Sequence, residues 1–262
     1  MEQILDSNWS ISSAGGASGE AYVAESYYQK LFLKRNTSPF LAILSAEGIV
    51  PKLVWTKRLT NGDVITAQQW LEGRVLNKPE MQGRSVVDLI SKIHHSSEIL
   101  HLFMRMEKQP LEPVRMLMEL KKEANNQDVE YTDVIYDTLQ FLFSTIRNVE
   151  NRPKVVCHAD INHENFLLSQ TDHLYLIDWD NAVIADPAMD LSMMLYQYIP
   201  RKGWEEWLAS YGVQLNNDLL VRIQWYMAAQ SISYYLWHLA KGNDKEAANW
   251  KMRINHQPYL FT

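Results

Sequence analysis

Two short stretches carry the groups that could do chemistry. The apolar run Val155-Val156-Cys157 leads into His158, Asp160 and, five residues later, Asn165. The apolar run Leu174–Ile177 leads into Asp178 and Asp180. Strands that end on acidic and amide groups suit a metal and phosphate site. Phosphoryl transfer needs a positioned nucleophile and cations over the phosphates, with little covalent help from protein. A carboxylate such as Asp160, placed beside an attacking hydroxyl, can orient it and accept its proton. Mg2+ takes oxygen ligands and keeps part of its water shell, so the Asn165 amide oxygen and the Asp178 carboxylate are suitable anchors. The plainer reading is two unrelated loops rich in Asp and Asn. Shared strand context, spacing and order weigh against it.

Composition sets the limits. The 262 residues suffice for one large domain or two lobes. With 47% hydrophobic and 21% charged residues, the chain has the balance of an ordinary globular protein. A net charge of −6 and the lack of a basic stripe argue against direct nucleic-acid binding. No apolar run approaches the ~20 residues of a membrane span. The first ten residues lack the basic and apolar regions of a signal peptide. Cys157 is the single cysteine, which excludes an intrachain disulfide and a cysteine-based metal cluster. A cytoplasmic protein is expected.

The elements that must position these groups change character along the chain. Residues 9–35 read as strands around the glycine-rich stretch AGGASG. Residues 52–71 read as two more strands joined at Asn61-Gly62, a strong hairpin signal. From about residue 79 the period becomes helical, with one helix over 84–100 and others at 130–147, 188–199, 203–211 and 216–241. The expected class is α+β, with a β-rich lobe over 1–73, a crossing near Gln69–Arg74, and a mostly helical lobe over 74–262. In the glycine-rich stretch, Gly15, Gly16, Ser18 and Gly19 would let backbone amides approach phosphates. An ordinary hairpin would look alike; the position ahead of Lys34 and the two loops favours the phosphate role. His94 reads as a satisfied core histidine and Cys157 as a small buried hydrophobe. The aromatic crowd Trp204, Trp207, Trp225, Tyr226, Tyr234, Tyr235 and Trp237 reads mainly as core, with one or two members in a pocket.

The spacing His158-x-Asp160-x-x-x-x-Asn165 is that of the protein-kinase catalytic loop. HADINHEN followed by LIDWDNA resembles the aminoglycoside phosphotransferase and choline kinase superfamily. That resemblance implies a two-lobed protein-kinase-like fold that uses ATP and Mg2+ to phosphorylate a small-molecule hydroxyl acceptor. It implies Asp160 as catalytic base, Asn165 and Asp178 as metal ligands, and Lys34 on the ATP phosphates. Glu47 would pair with Lys34 from an abbreviated helix. Gln69, Trp70 and Leu71 would offer their backbone to adenine. Asp190 would hold the catalytic loop by hydrogen bonds. Ala159 stands where the family usually has glycine, a mild departure provided the backbone there is not left-handed.

FLKRNTSPFLAIL, VPKLVW and QQWLEGRVL are similar to one bacterial branch, the CcrZ (YtmP-like) cell-cycle kinase family. This implies a pentose, deoxyribose or nucleoside-like acceptor and protein partners in the division or replication machinery. Two alternatives stand beside it. An aminoglycoside or choline kinase would want a carboxylate-lined cleft for a cationic substrate. A pseudokinase scaffold would show a broken catalytic set, whereas this set is intact. Only WDNAVIADPAM separates Asp178 from the next helix, too short an activation segment to dock a polypeptide substrate.

Overall fold

The computed structural model describes residues 5, 8–15, 20–106, 109–127, 129 and 133–255; Gly16, Ser18 and Gly19 lie outside them. Alternating residues of the first third form β1 (Ser10–Gly15), β2 (Ala21–Glu25) and β3 (Lys30–Arg35), followed by the short helix α1 (Phe40–Ala46), β4 (Leu53–Arg58) and β5 (Val64–Gln69). The strands make one antiparallel sheet of order β1-β2-β3-β5-β4. Its inward residues Ala24, Leu31, Leu33, Ile65 and Ala67 form a small core of their own. The β4–β5 turn contains Gly62 at φ +92°, a left-handed backbone that suits glycine. Asp63 fixes this corner by accepting from Arg35, Asn36 and Asn61.

The chain then crosses through Trp70–Glu72. Next come β6 (Gly73–Val75), α2 (Arg84–His95), α3 (Ser97–Met104), α4 (Pro113–Asn126) and α5 (Asp133–Ser144). They are followed by β7 (Val155–Cys157), β8 (Phe166–Ser169), β9 (Leu174–Leu176) and β10 (Val183–Ala185). Four helices complete the lobe: α6 (Ala188–Tyr198), α7 (Trp204–Tyr211), α8 (Asn217–Ala240) and α9 (Asp244–Asn255). β6 and β9 flank β8, and β7 pairs with β10. β6 can lie this close only because residue 73 is glycine: a Cβ there would sit 2.4 Å from the Leu168 carbonyl oxygen.

The helical expectation over 84–100 is corrected to two helices. Ser96 leaves helical geometry and its hydroxyl accepts from the Ile99 N–H, capping α3. α8 is buried on most sides, as expected of a helix with apolar residues all round. Its Trp225 donates to the Leu142 carbonyl (2.9 Å), and its Gln230 donates to Met189 O and Ser192 Oγ (both 2.9 Å). α1 departs from its neighbours: Phe40 and Leu44 join the large core of the helical lobe, with Phe40 against Phe103 (ring centroids 4.1 Å) and Trp179.

Ahead of α6, Asp186 is completely buried, and Arg222 of α8 reaches both its oxygens at 2.7 and 2.9 Å. Removing one partner of a buried ion pair strands the other charge, at a cost of about 3–5 kcal/mol. Arg222→Met is therefore expected to lose about 3 kcal/mol of stability in urea unfolding. A loss below about 1 kcal/mol would contradict the role given to this pair.

Candidate active site

The catalytic loop leaves β7 at His158, and one buried carboxylate shapes it. Asp190, in the first turn of α6, accepts from the His158 N–H (2.7 Å), the Ala159 N–H (2.9 Å) and His94 Nε2 (3.0 Å). His94 is satisfied on both ring nitrogens, Nε2 against Asp190 and Nδ1 against the Tyr211 hydroxyl at 2.8 Å. Burial alone would raise the Asp190 pKa. The His94 hydrogen bond and charge, the His158 charge and the Ala159 N–H outweigh it and hold the carboxyl below its usual range. His94, Cys157 and Asp190 lie close enough together to suggest a metal cage. Three donors already occupy the Asp190 oxygens, and the Cys157 thiol faces the Asp186 carbonyl at 3.5 Å, so this is a brace.

Ala159 has φ +64°, in the left-handed region. The condition under which alanine would be a harmless replacement for glycine is thus not met. The strain is held in place by the two main-chain bonds to Asp190. His158 ties this loop to the next one, with Nε2–H donating to the Ile177 carbonyl at 2.9 Å. The following residue, Asp178, is also left-handed (φ +64°). Trp179 packs edge-on to the His158 ring and donates to Leu176 O at 2.7 Å, which fixes the turn beneath Asp178.

Asp160 receives a donor on each oxygen. Asn165 Nδ2 donates to Oδ2 (3.1 Å) and to the Asp160 carbonyl (2.9 Å); the Tyr234 hydroxyl donates to Oδ1 (2.7 Å). Asn165 is held by Asn162, whose side chain accepts from the N–H groups of Glu164 and Asn165. With its Nδ2 spent on Asp160, the Asn165 amide leaves Oδ1 as its ligand atom. The Asn165 carbonyl accepts from the Ile177 N–H (2.8 Å), stitching the two loops together again.

Lys34 crosses from β3 to the same place. Its ammonium lies 2.7 Å from Asp178 Oδ1 and 2.7 Å from Asp180 Oδ2. Burial pulls the Lys34 pKa down, but the hydrogen bonds and charges of the two aspartates outweigh it and hold it above its ordinary value. The ammonium stands where a cation bound by Asp178 would stand. An all-oxygen set of Asn165 Oδ1 and the Asp178 carboxylate fits Mg2+. Glu47 does not pair with Lys34, which corrects the sequence expectation. It caps α1, its carboxylate lies 3.9 Å from Lys92, and its carbonyl accepts from the same ammonium. At the crossing, the Gln69 N–H donates to Lys52 O and the Trp70 N–H to Lys30 O, while the Lys30 ammonium sits 4.5 Å from the Trp70 ring centroid. Gly15 ends β1 at φ +79°, a left-handed backbone that suits glycine.

A family model described as "Phosphotransferase enzyme family" (APH) matches residues 14–226. The chain belongs to this family. Three solved structures show how far the phosphotransferase fold carries. The choline kinase LicA from Streptococcus pneumoniae is 17% identical at a TM-score of 0.72, covering 94% of this chain and 92% of its own. The GDP complex of aminoglycoside 2'-phosphotransferase-IIIa is 15% identical at 0.68, covering 97% and 94%. The Plasmodium vivax ethanolamine kinase is 15% identical at 0.72, covering 99% and 85%. At these identities the likeness establishes the kinase-like fold, a β-sheet lobe on a helical one.

Sequence reading gave no separate role to Asp180 or Tyr234. Asp180 carried a signal, as the second acid of an Asp-x-Asp turn beyond a strand. Tyr234 carried none beyond membership of the aromatic crowd on the last helices, because 74 residues separate it from Asp160. The strain at Ala159 gives a stability prediction. Alanine in the left-handed region costs about 1–2 kcal/mol, and glycine returns roughly 0.4–1 of that through the unfolded chain. Ala159→Gly should thus stabilise the phosphotransferase by about 0.5–1 kcal/mol in thermal or urea unfolding. Destabilisation would show that the left-handed turn is not strained.

Proposed function

We propose that this phosphotransferase moves the γ-phosphoryl group of ATP to a hydroxyl of a small, uncharged, sugar-like acceptor. The observation that carries the reading is the convergence on one cleft of Lys34, Asp160, Asn165 and Asp178, drawn from both lobes. Lys34 exchanges its aspartates for ATP phosphates when nucleotide enters, which frees Asp178. Asn165 and Asp178 hold Mg2+, which when bound neutralises charge on the β- and γ-phosphates. Adenine lies against the backbone of Gln69–Leu71 and the phosphates near the end of β1 at Gly15. Asp160 accepts the proton of the acceptor hydroxyl as the new O–P bond forms and ADP leaves. Glu47 has no part in this scheme.

The groups beside Asp160 support the choice of acceptor class. His163 N–H donates to the Tyr198 hydroxyl (3.0 Å), and the positive charge of Arg253 reaches that same phenol. Arg253 also lies over Trp250, which stacks on Tyr234. Hydroxyls, an imidazole and a guanidinium suit a polyhydroxylated neutral molecule such as a pentose, deoxyribose or nucleoside. The second reading, a cationic acceptor, is favoured by the names of the solved choline, ethanolamine and aminoglycoside kinases. The Arg253 charge at Tyr198 weighs against it, while the Asp160 and Glu164 charges at the same phenol weigh for it. The sequence likeness to cell-cycle kinases makes division or replication proteins the partners to test, in the cytoplasm.

Two variants test the scheme. Asp160→Asn should lose ~10²-fold or more in turnover while keeping the melting shift given by Mg·ATP. Near-wild-type turnover with a verified acceptor would remove Asp160 from the role of base. Asp178→Ala should leave the ligand-free protein folded and abolish the Mg2+-dependent part of the ATP melting shift. An unchanged shift would assign the metal to other ligands.

A further inference from the structure

Tyr234 is the one residue from outside the catalytic loop whose side chain is bonded to the Asp160 carboxylate among the described residues. Its ring stacks on Trp250 of α9 with centroids 4.7 Å apart and planes 11° apart. The Arg253 guanidinium lies 4.6 Å from the Trp250 centroid, so α9 backs the phenol with a layered support. Burial first, then the Asp160 charge and the hydrogen bond itself, push the phenol's pKa far above its usual value. The hydroxyl is therefore a donor throughout the physiological range. Asn165 holds the other Asp160 oxygen from within the loop. A carboxylate gripped on both oxygens cannot rotate freely, yet each oxygen keeps a lone pair for a further donor.

We propose that Tyr234, propped by Trp250, is a positioning residue for phosphoryl transfer: it fixes the plane of the Asp160 carboxylate that receives the acceptor proton. The phenol keeps its own proton through the cycle; the proton that moves is the acceptor's. This inference rests on the kinase reading above. A misaligned base weakens the transition state and not the ground-state complex, so the cost should fall on kcat.

The test is steady-state kinetics on wild type, Tyr234→Phe and Trp250→Ala, with an acceptor selected from a panel of pentoses, nucleosides, choline and aminoglycosides. Tyr234→Phe keeps the stack and removes only the hydroxyl. Losing one hydrogen bond to a charged group, it should lower kcat about tenfold. The acceptor KM should stay within about twofold of wild type and the Mg·ATP melting shift should be unchanged. Trp250→Ala should lower kcat in the same direction; if Trp250→Ala does not fold, Tyr234→Phe decides alone. An unchanged kcat with a lowered melting temperature would reduce Tyr234 to a packing residue and overturn the proposal. A lower acceptor KM with kcat kept or raised would also overturn it, by showing that the phenol merely occupies the acceptor's place. If wild type consumes ATP with no member of the panel, and no faster than Asp160→Asn without acceptor, the kinase reading itself fails and this inference with it.

Discussion

The buried carboxylate of Asp190 is the constraint on which the site depends. An isolated charge in the interior would cost several kcal/mol, and such a group persists only where donors surround it. Here the donors are the backbone of His158 and Ala159 and the ring of His94. The charge therefore needs the catalytic loop as much as the loop needs the charge. Satisfying Asp190 forces two successive N–H groups to point inward, which puts Ala159 into a left-handed backbone and turns Asp160 toward the cleft. From there the geometry propagates: His158 holds Ile177, and Ile177 holds Asn165 through main-chain bonds. The loops that carry Asp160, Asn165 and Asp178 thus belong to one hydrogen-bonded unit anchored deep in the helical lobe.

The second organising charge is Lys34. Asp178 and Asp180 are both about half exposed, and without a cation between them they would repel. Lys34 comes from the sheet lobe, so the resting protein closes its cleft with an ion pair that joins the two lobes.

Much of the fold was legible because the pattern was local. Alternation in KLFLK and the Asn61-Gly62 turn marked the sheet, and the spacing of His158, Asp160, Asn165 and Asp178 marked the two loops. The family signal and the structure agree on fold and on phosphotransferase class. What was missed includes the helices α4 and α9 as well as non-local contacts. α9 carries its buried Ala247, Trp250 and Ile254 at helical spacing, but in a short segment rich in polar residues. The break at Ser96 needed the cap geometry rather than the apolar period. Glu47 was chosen because it was the sole glutamate in its segment, a choice by elimination. The nearby Lys92, from a helix far along the chain, decides its partner instead. Ala159 shows the limit of reading a family position by residue type: the backbone there keeps the glycine conformation although the residue has changed.

α1 has a mechanical consequence. In protein kinases the helix that follows the nucleotide-binding lysine is a control point, and activity depends on bringing its glutamate to that lysine. Here the corresponding helix is only seven residues long, and Phe40 and Leu44 are packed into the large core beside Phe103 and Trp179. Swinging it outward would open a hole in the lobe that holds the catalytic loop. When the cleft opens and shuts, the helix must travel with the helical lobe while the five strands rock over it on their own small core. The seven-residue helix is thus seated in the same packed core as Trp179, beneath the turn that carries Asp178, and the two are mechanically one piece.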